Sequence, residues 1–388
     1  MPDILFDEAR GQRVPVHLWA KDATDETIDQ LVRIASRPYV VRHVAAMADA
    51  HVAHGVAVGT VFATERTVVP RALGGDLGCG ISATRLSVDA ESLDRRLLER
   101  VVDTLGRAIP AGDGVHRGAG VAVPESLVEG MLSTQALLRT RDALARKHLA
   151  TLGGGNHFLE LDRDADGHVW LLVHSGSRGL GAAIAAHHVR AAEARDGRGD
   201  LLAGLDVATV AGRAYLDDLA WALSFARANR DALARRAIVV LADVLGRDVE
   251  ATEHLDVHHN FVAEERWDGE TLLVHRKGAV CVPRGVRAVV PGSMATASYV
   301  VEGLGCGMAF DSCSHGAGRV LTRTEARARI GPHDLAREMR RIVWPDHLAR
   351  RLVEEAPAAY REIGAVLAAQ SDLVRRERRL EPIAVLKG

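Results

Sequence analysis

The stretch SCSHGAGR, residues 312–319, sets His315 between a serine and a Gly-Ala-Gly run, so other groups can approach its imidazole closely. A neutral imidazole that accessible can attack phosphorus to give a phosphoramidate, which divides a nucleotidyl transfer into two displacements. From the residues alone, His315 is equally a general base, a further metal ligand or a plain loop histidine.

Five more residues form a candidate ligand set: Asp76 and Cys79 in GGDLGCG, His157 in GGGNHFLE, His174 in VHSGSRG and His259 in VHHNF. An aspartate and a cysteine three apart on a glycine-bounded turn can face one ion, and imidazoles from separate strand ends can complete its shell. Any one of these histidines taken singly also reads as a hydrogen-bonded loop or core residue. As a set they exceed one tetrahedral site and suit two neighbouring ions, with the thiolate able to bridge them. Donor type alone favours zinc, since manganese prefers oxygen. Phosphate could be held by the loops LGGGN, SGSRGLGAA, PGSMATAS (291–298) and HGAG (315–318), with Arg178 and Arg319 adding charge-assisted bonds. None of these matches the standard phosphate loop, and each is equally explained as a tight turn.

The elements that must position these groups follow from local pattern. Residues 24–36 carry apolar positions at helical spacing behind an aspartate, and residues 91–108 and 126–150 repeat that periodicity. Valine- and threonine-rich segments with glycine punctuation between 55 and 88 predict strands, as do NHFLEL and HVWLLVHS. Residues 183–245, rich in alanine, leucine and arginine, predict two or three helices, with a helix start after Gly181. Strands return in TLLVHRKGAVCV, VRAVVPG and ASYVVEGLGCGMAF, followed by helices near 334–342 and 350–369 and a last strand PIAVLKG. The fold class expected is α+β: mixed sheets with surrounding helices and a mainly helical segment at about 183–245.

Composition narrows the function classes. Hydrophobic content of 47% with 26% charged residues suits a folded globular chain and excludes wholesale disorder. A net charge of -2 rules out a uniformly basic surface, so nucleic acid would have to be gripped by a local patch. The start of the chain lacks a basic-then-apolar leader and no apolar run approaches bilayer length, so no membrane partner and a cytoplasmic location are expected. The four cysteines Cys79, Cys281, Cys306 and Cys313 show no pairing pattern, which fits reduced thiols.

Taken together, the ordered blocks MADAH (47–51), GGDLGCG (74–80), GGGNHFLE (153–160), VHSGSRGLG (173–181), HHNF (258–261), HRKGAV (275–280), PGSM (291–294), SYVVEG (298–303), SHGAGR (314–319) and the terminal LKG resemble the RtcB family of RNA-splicing ligases. The resemblance runs nearly end to end and implies a single RtcB-like catalytic domain over residues 1–388 with a central active-site cleft. It implies a GTP-dependent ligase, holding two manganese ions, that joins RNA 3′-phosphate or 2′,3′-cyclic phosphate ends to 5′-hydroxyl ends in RNA repair or tRNA splicing. His315 falls on the family's guanylylated histidine, and Asp76, Cys79, His157, His174 and His259 fall on its metal ligands. Its GTP contacts carry over to Asn156, His157, Phe158, Leu159, Glu160, His259, Asn260, Pro291, Gly292, Ser293, Met294, Ser298, His315, Gly316, Ala317, Gly318, Tyr360 and Lys387. Asp49 matches a family acid near the site, and Arg178 and Arg319 are supporting candidates. An archease-type activator and a monomeric state belong to the same expectation.

Two departures stand out. Ala53, His54 and Gly55 occupy positions where the family has Gly-Tyr-Gly, and Thr322-Arg323 replaces Ser-Arg. They spare every expected ligand and point to a divergent branch suited to RNA repair. The competing function is a metal-dependent cyclic phosphodiesterase or phosphatase, which needs the ligand set but not His315 as nucleophile.

Overall fold

A computed structural model describes residues 1–197 and 199–388. Its architecture is α+β, built on two large sheets. One has six strands in the order Asp3–Leu5, Val16–Leu18, Val40–His51, Val58–Thr64, Glu270–Lys277, Asn260–Trp267, with a single parallel pairing between the second and third. The other has seven antiparallel strands in the order Ala251–His258, Gly80–Asp89, His168–Ser175, Phe158–Arg163, Val374–Lys387, Ser298–Gly303, Arg287–Val290. Among the described residues, no helix is long and apolar enough to cross a membrane.

Helices cover both faces of the seven-stranded sheet. On one face Val101 and Leu105 of helix Arg95–Ala108 and Leu233 and Val240 of helix Val210–Leu245 pack on Leu159, Leu161, Leu171 and Val173. On the other, Leu335, Met339 and Ile342 close over Ile81, Trp170 and Leu172. Each such leucine contributes roughly 1.5–3 kcal/mol when removed from water. The long helix starts at Thr209, whose side chain accepts from the Gly212 N–H, and stops at Gly246, which adopts the left-handed conformation.

Expectation and structure agree on the first helix, Asp25–Ala35, and on the helical content of 183–245, where the second long helix is Arg178–Asp196; residue 198 of that span lies outside the described residues. That second helix begins three residues before Gly181, inside the loop expected to precede it. Gly181 is needed there for close approach: a Cβ would lie 1.9 Å from Ser177 Oγ and 3.3 Å from the Leu77 backbone nitrogen. The span 126–150 divides into Glu125–Glu129 and Gln135–His148, and the helix expected at 334–342 runs from Pro332 to Glu338. The single helix expected at 350–369 does not form. Pro357 pushes Ala356 to an extended conformation (ψ 145°), leaving Ala349–Leu352, two 3₁₀ turns and a separate helix Ile363–Ala369. The last strand is longer than expected, because the Arg-rich stretch from Val374 onward pairs with Ser298–Gly303 before the apolar half pairs with Phe158–Arg163. Strands Ala251–His258 and Asn260–Trp267 carry no apolar run to announce them, since each is the edge of its sheet and half-exposed.

Candidate active site

Strand register explains why the ligand candidates meet. His258 pairs with Gly80 and Gly80 with Ser175, while His174 pairs with Phe158 and Phe158 with Lys387. Residues 79, 157, 174 and 259 therefore all emerge at one end of adjacent strands. His259 sits where the chain leaves the seven-stranded sheet and enters the six-stranded one, held by its N–H to the Cys79 carbonyl at 2.8 Å.

The donor atoms converge. Cys79 Sγ lies 3.3 Å from both His157 Nε2 and His174 Nε2, His174 Nε2 lies 3.4 Å from His259 Nε2, and His157 Nε2 lies 2.9 Å from Asp76 Oδ2. They form two groups, Asp76–Cys79–His157 and Cys79–His174–His259, and within each the donors lie within 4.8 Å of one another, Cys79 being common to both. Two donors about 2.1 Å from a common ion at tetrahedral angles stand about 3.4 Å apart, so the spacing and chemistry of this cluster fit divalent metal. Burial holds the His174 and His259 imidazoles neutral with lone pairs free, and burial, reinforced by Asp76, pushes the Cys79 thiol up. An ion would reverse that last effect by favouring the thiolate. Asn156 fixes the His174 ring by accepting from Nδ1 at 3.0 Å.

His315 follows strand Ser312–Ser314 and turns its ring toward the donors, 4.9 Å from His259 centroid to centroid. Its Nδ1 lies 2.6 Å from Oδ2 of Asp49, a carboxylate with no solvent exposure. With Nδ1–H donating there, Nε2 keeps the lone pair. Gly278 leaves room for the ring, as a Cβ would come 3.2 Å from its Nδ1.

A cleft of about 1240 Å³ opens in front of this ring. Of the expected nucleotide contacts, Asn156, Phe158, Glu160, residues 291–294, Ser298, residues 315–318, Tyr360 and Lys387 line it. Leu159 alternates to the opposite face of its strand and packs in the core, leaving only its backbone for a ligand. Asn260 brackets the metal loop instead, donating to the Asp76 carbonyl at 3.2 Å and accepting from Gly278 N–H at 2.9 Å. Arg178 stands behind that loop, bonded to Thr151 and the Gly112 carbonyl. Arg319 lies over the Tyr360 ring and pairs with buried Glu355, which also accepts from the Tyr360 hydroxyl and lies 3.4 Å from Lys387 Nζ. Burial lowers the Lys387 pKa, opposed by Glu355 and Glu160, and raises that of Glu160, with Asp162 adding to the rise.

Two supporting residues escaped the sequence reading. Arg230 is fully buried on the long helix and donates to the carbonyls of Gly78 (3.1 Å) and Ser175 (3.0 Å), the residues beside Cys79 and His174, while pairing with Asp256. Its neighbour Asn229 ties Thr151 to Ser175 and Gly176. Their signal was the polar pair Asn-Arg within the Ala/Leu-rich segment, where a helix packed on a sheet rarely spends interior positions on such groups.

Comparisons with known proteins show which family the chain falls in. A family model described as tRNA-splicing ligase RtcB matches residues 30–388. The RNA-splicing ligase RtcB of Escherichia coli K12 is 35% identical over 403 residues, covering 97% of this chain and 98% of that protein. The RNA-splicing ligase RtcB of Mycobacterium tuberculosis is 34% identical over 92% of this chain and 100% of that protein, and the tRNA-splicing ligase RtcB of Thermococcus kodakarensis is 29% identical over 98% and 96%.

Proposed function

The chain belongs to the RtcB family, and on that premise we propose that it is a GTP-dependent RNA ligase joining 3′-phosphate or 2′,3′-cyclic phosphate ends to 5′-hydroxyl ends. The observation that carries this reading is the pairing of His315 with buried Asp49 at the edge of the donor cluster and the mouth of a cleft.

In this reading Asp49 fixes the His315 tautomer so that Nε2 is the nucleophile. Nε2 bonds to the α-phosphorus of GTP as the bond to pyrophosphate breaks. His315 then yields GMP to the RNA 3′-phosphate, and the 5′-hydroxyl displaces GMP to seal the strand; a cyclic end is first opened by hydrolysis in the same site. Asp76, Cys79 and His157 would hold one ion and Cys79, His174 and His259 a second, which the family reading makes manganese. When bound, these ions supply positive charge that orients phosphate oxygens and offsets charge developing on them. Lys387 and Glu160 would read the guanine edge, with Tyr360 against the base and the 291–294 loop along the nucleotide. A monomer, a cytoplasmic setting and an archease-type activator belong to the same reading.

The test is incubation with GTP, manganese and RNA pairs of defined ends, scoring sealed product and protein labelling together. Sealing of the 3′-phosphate/5′-hydroxyl pair with GMP-labelled protein is expected. Opening of a cyclic end with neither sealing nor labelling would contradict the ligase reading and favour a phosphodiesterase.

A further inference from the structure

Asp49 anchors two imidazoles. Its side chain accepts from His315 Nδ1, and its backbone carbonyl lies 2.9 Å from Nδ1 of His51. A carbonyl can only accept, so His51 carries its proton on Nδ1 and presents Nε2 with a free lone pair. Burial holds its pKa at about 4, which keeps the ring neutral at physiological pH, and His51 lines the same cleft as His315. It contacts none of the donor atoms described above, and the nucleotide reading gives it no task.

His51 lines the cleft beside the segment that carries Asp22, Asp25 and Glu26. Lys387, Phe158, Glu160, Glu355, Tyr360 and Arg319 form one connected wall. Arg361, which also donates to the Arg319 carbonyl, links Asp22 to the Asp49 and Ala50 carbonyls beside His51, and Asp25 and Glu26 line the cleft as well. Asp22 is paired with Arg361, whereas Asp25 and Glu26 meet no cation within ion-pair distance among the described residues, so the cleft beside them suits an uncharged hydroxyl better than a phosphate.

We propose that His51 is the group that receives the proton of the RNA 5′-hydroxyl in the sealing step. The assignment rests on the ligase reading above. The 5′-oxygen bonds to the 3′-phosphorus, the bond from that phosphorus to the GMP oxygen breaks, GMP leaves with the electron pair, and the hydroxyl proton passes to His51 Nε2 and on to water. Phosphate charge arriving beside the ring raises its proton affinity at the moment it is needed.

The experiment follows each step in wild type, His51→Asn and His51→Gln with GTP, manganese, a 3′-phosphate RNA and a 5′-hydroxyl RNA. Asparagine can keep the bond to the Asp49 carbonyl but offers nothing at the Nε2 position; glutamine offers an amide oxygen near that position that cannot hold a proton. His51→Asn should form the GMP adduct at a rate within about threefold of wild type, accumulate 3′-guanylylated RNA and seal about 10²- to 10⁴-fold more slowly. His51→Gln should recover no more than about tenfold of that loss. Sealing by His51→Asn close to wild type, or adduct formation falling in step with sealing in both variants, would overturn the proposal, the second result reducing His51 to a prop for Asp49. Absence of any adduct in wild type would instead overturn the ligase reading, and the His51 assignment with it.

Discussion

Replacing Arg230 by methionine tests how the metal loop is held. The guanidinium is fully buried and donates to the Gly78 and Ser175 carbonyls and to both oxygens of Asp256 (2.6 and 3.0 Å). Methionine fills similar volume but removes a donor from the Ser175 carbonyl, leaves the Gly78 carbonyl with His258 alone, and leaves the mostly buried Asp256 paired only with the half-exposed Arg227 (2.9 Å). Stranding one partner of a buried pair costs about 3–5 kcal/mol, and with Arg227 retained the loss should fall toward the lower end of that range, still a large share of the roughly 5–15 kcal/mol that holds a typical protein folded. Because the carbonyls belong to neighbours of Cys79 and His174, metal affinity should also weaken by about 10- to 100-fold. Burial disfavours the Asp256 carboxylate, but Arg230, with smaller contributions from His258 and Arg227, more than offsets this and holds its pKa below the ordinary value. The stabilisation is thus complete above the unfolded value of about 3.9 and is lost as pH falls through the lower folded value. Equilibrium denaturation of the chelator-treated protein should show the full deficit near pH 7 and a shrinking one in acid, and Arg230→Met/Asp256→Leu should be more stable than Arg230→Met alone. A single variant within about 1 kcal/mol of wild type, or a double variant less stable than the single, would refute the reasoning.

Other perturbations follow from the same geometry. Gly176→Ala should expel or distort Asp76, since the added Cβ would sit 2.2 Å from Asp76 Oδ1; metal analysis should find weaker binding with little change in secondary structure by circular dichroism. Cys79→Ser removes the donor common to both groups, so bound metal should fall further than in Asp76→Asn, as measured by elemental analysis after dialysis. Asp49→Asn leaves a side chain of the same shape that no longer enforces the His315 tautomer, and the rate of GMP labelling should fall about 10²- to 10⁴-fold with metal content unchanged.

Much of the site was legible because its chemistry is local. Asp76 and Cys79 share one turn, His157 and His174 mark the start and the end of strands, and His315 stands among glycines, so each announced itself within a few residues. What could not be read was which strand ends meet, because that depends on pairings such as His258 with Gly80, nearly 180 residues apart. The edge strands on either side of His259 lacked an apolar pattern, and Asn229 and Arg230, on the buried face of the long helix, were masked by the alanines and leucines around them. The break before Pro357 was legible and overlooked: a proline inside an otherwise helical span fixes the residue before it in an extended conformation, and the chain beyond it carries Tyr360 to the cleft with Glu355 buried behind its hydroxyl.

The central claim is that the His315 imidazole bonds to phosphorus. Peptide mass spectrometry of protein incubated with GTP and manganese should find GMP attached to the peptide containing His315, fragmentation should locate it on that ring, and His315→Ala should carry none. A label on another residue, or equal labelling of His315→Ala, would contradict it.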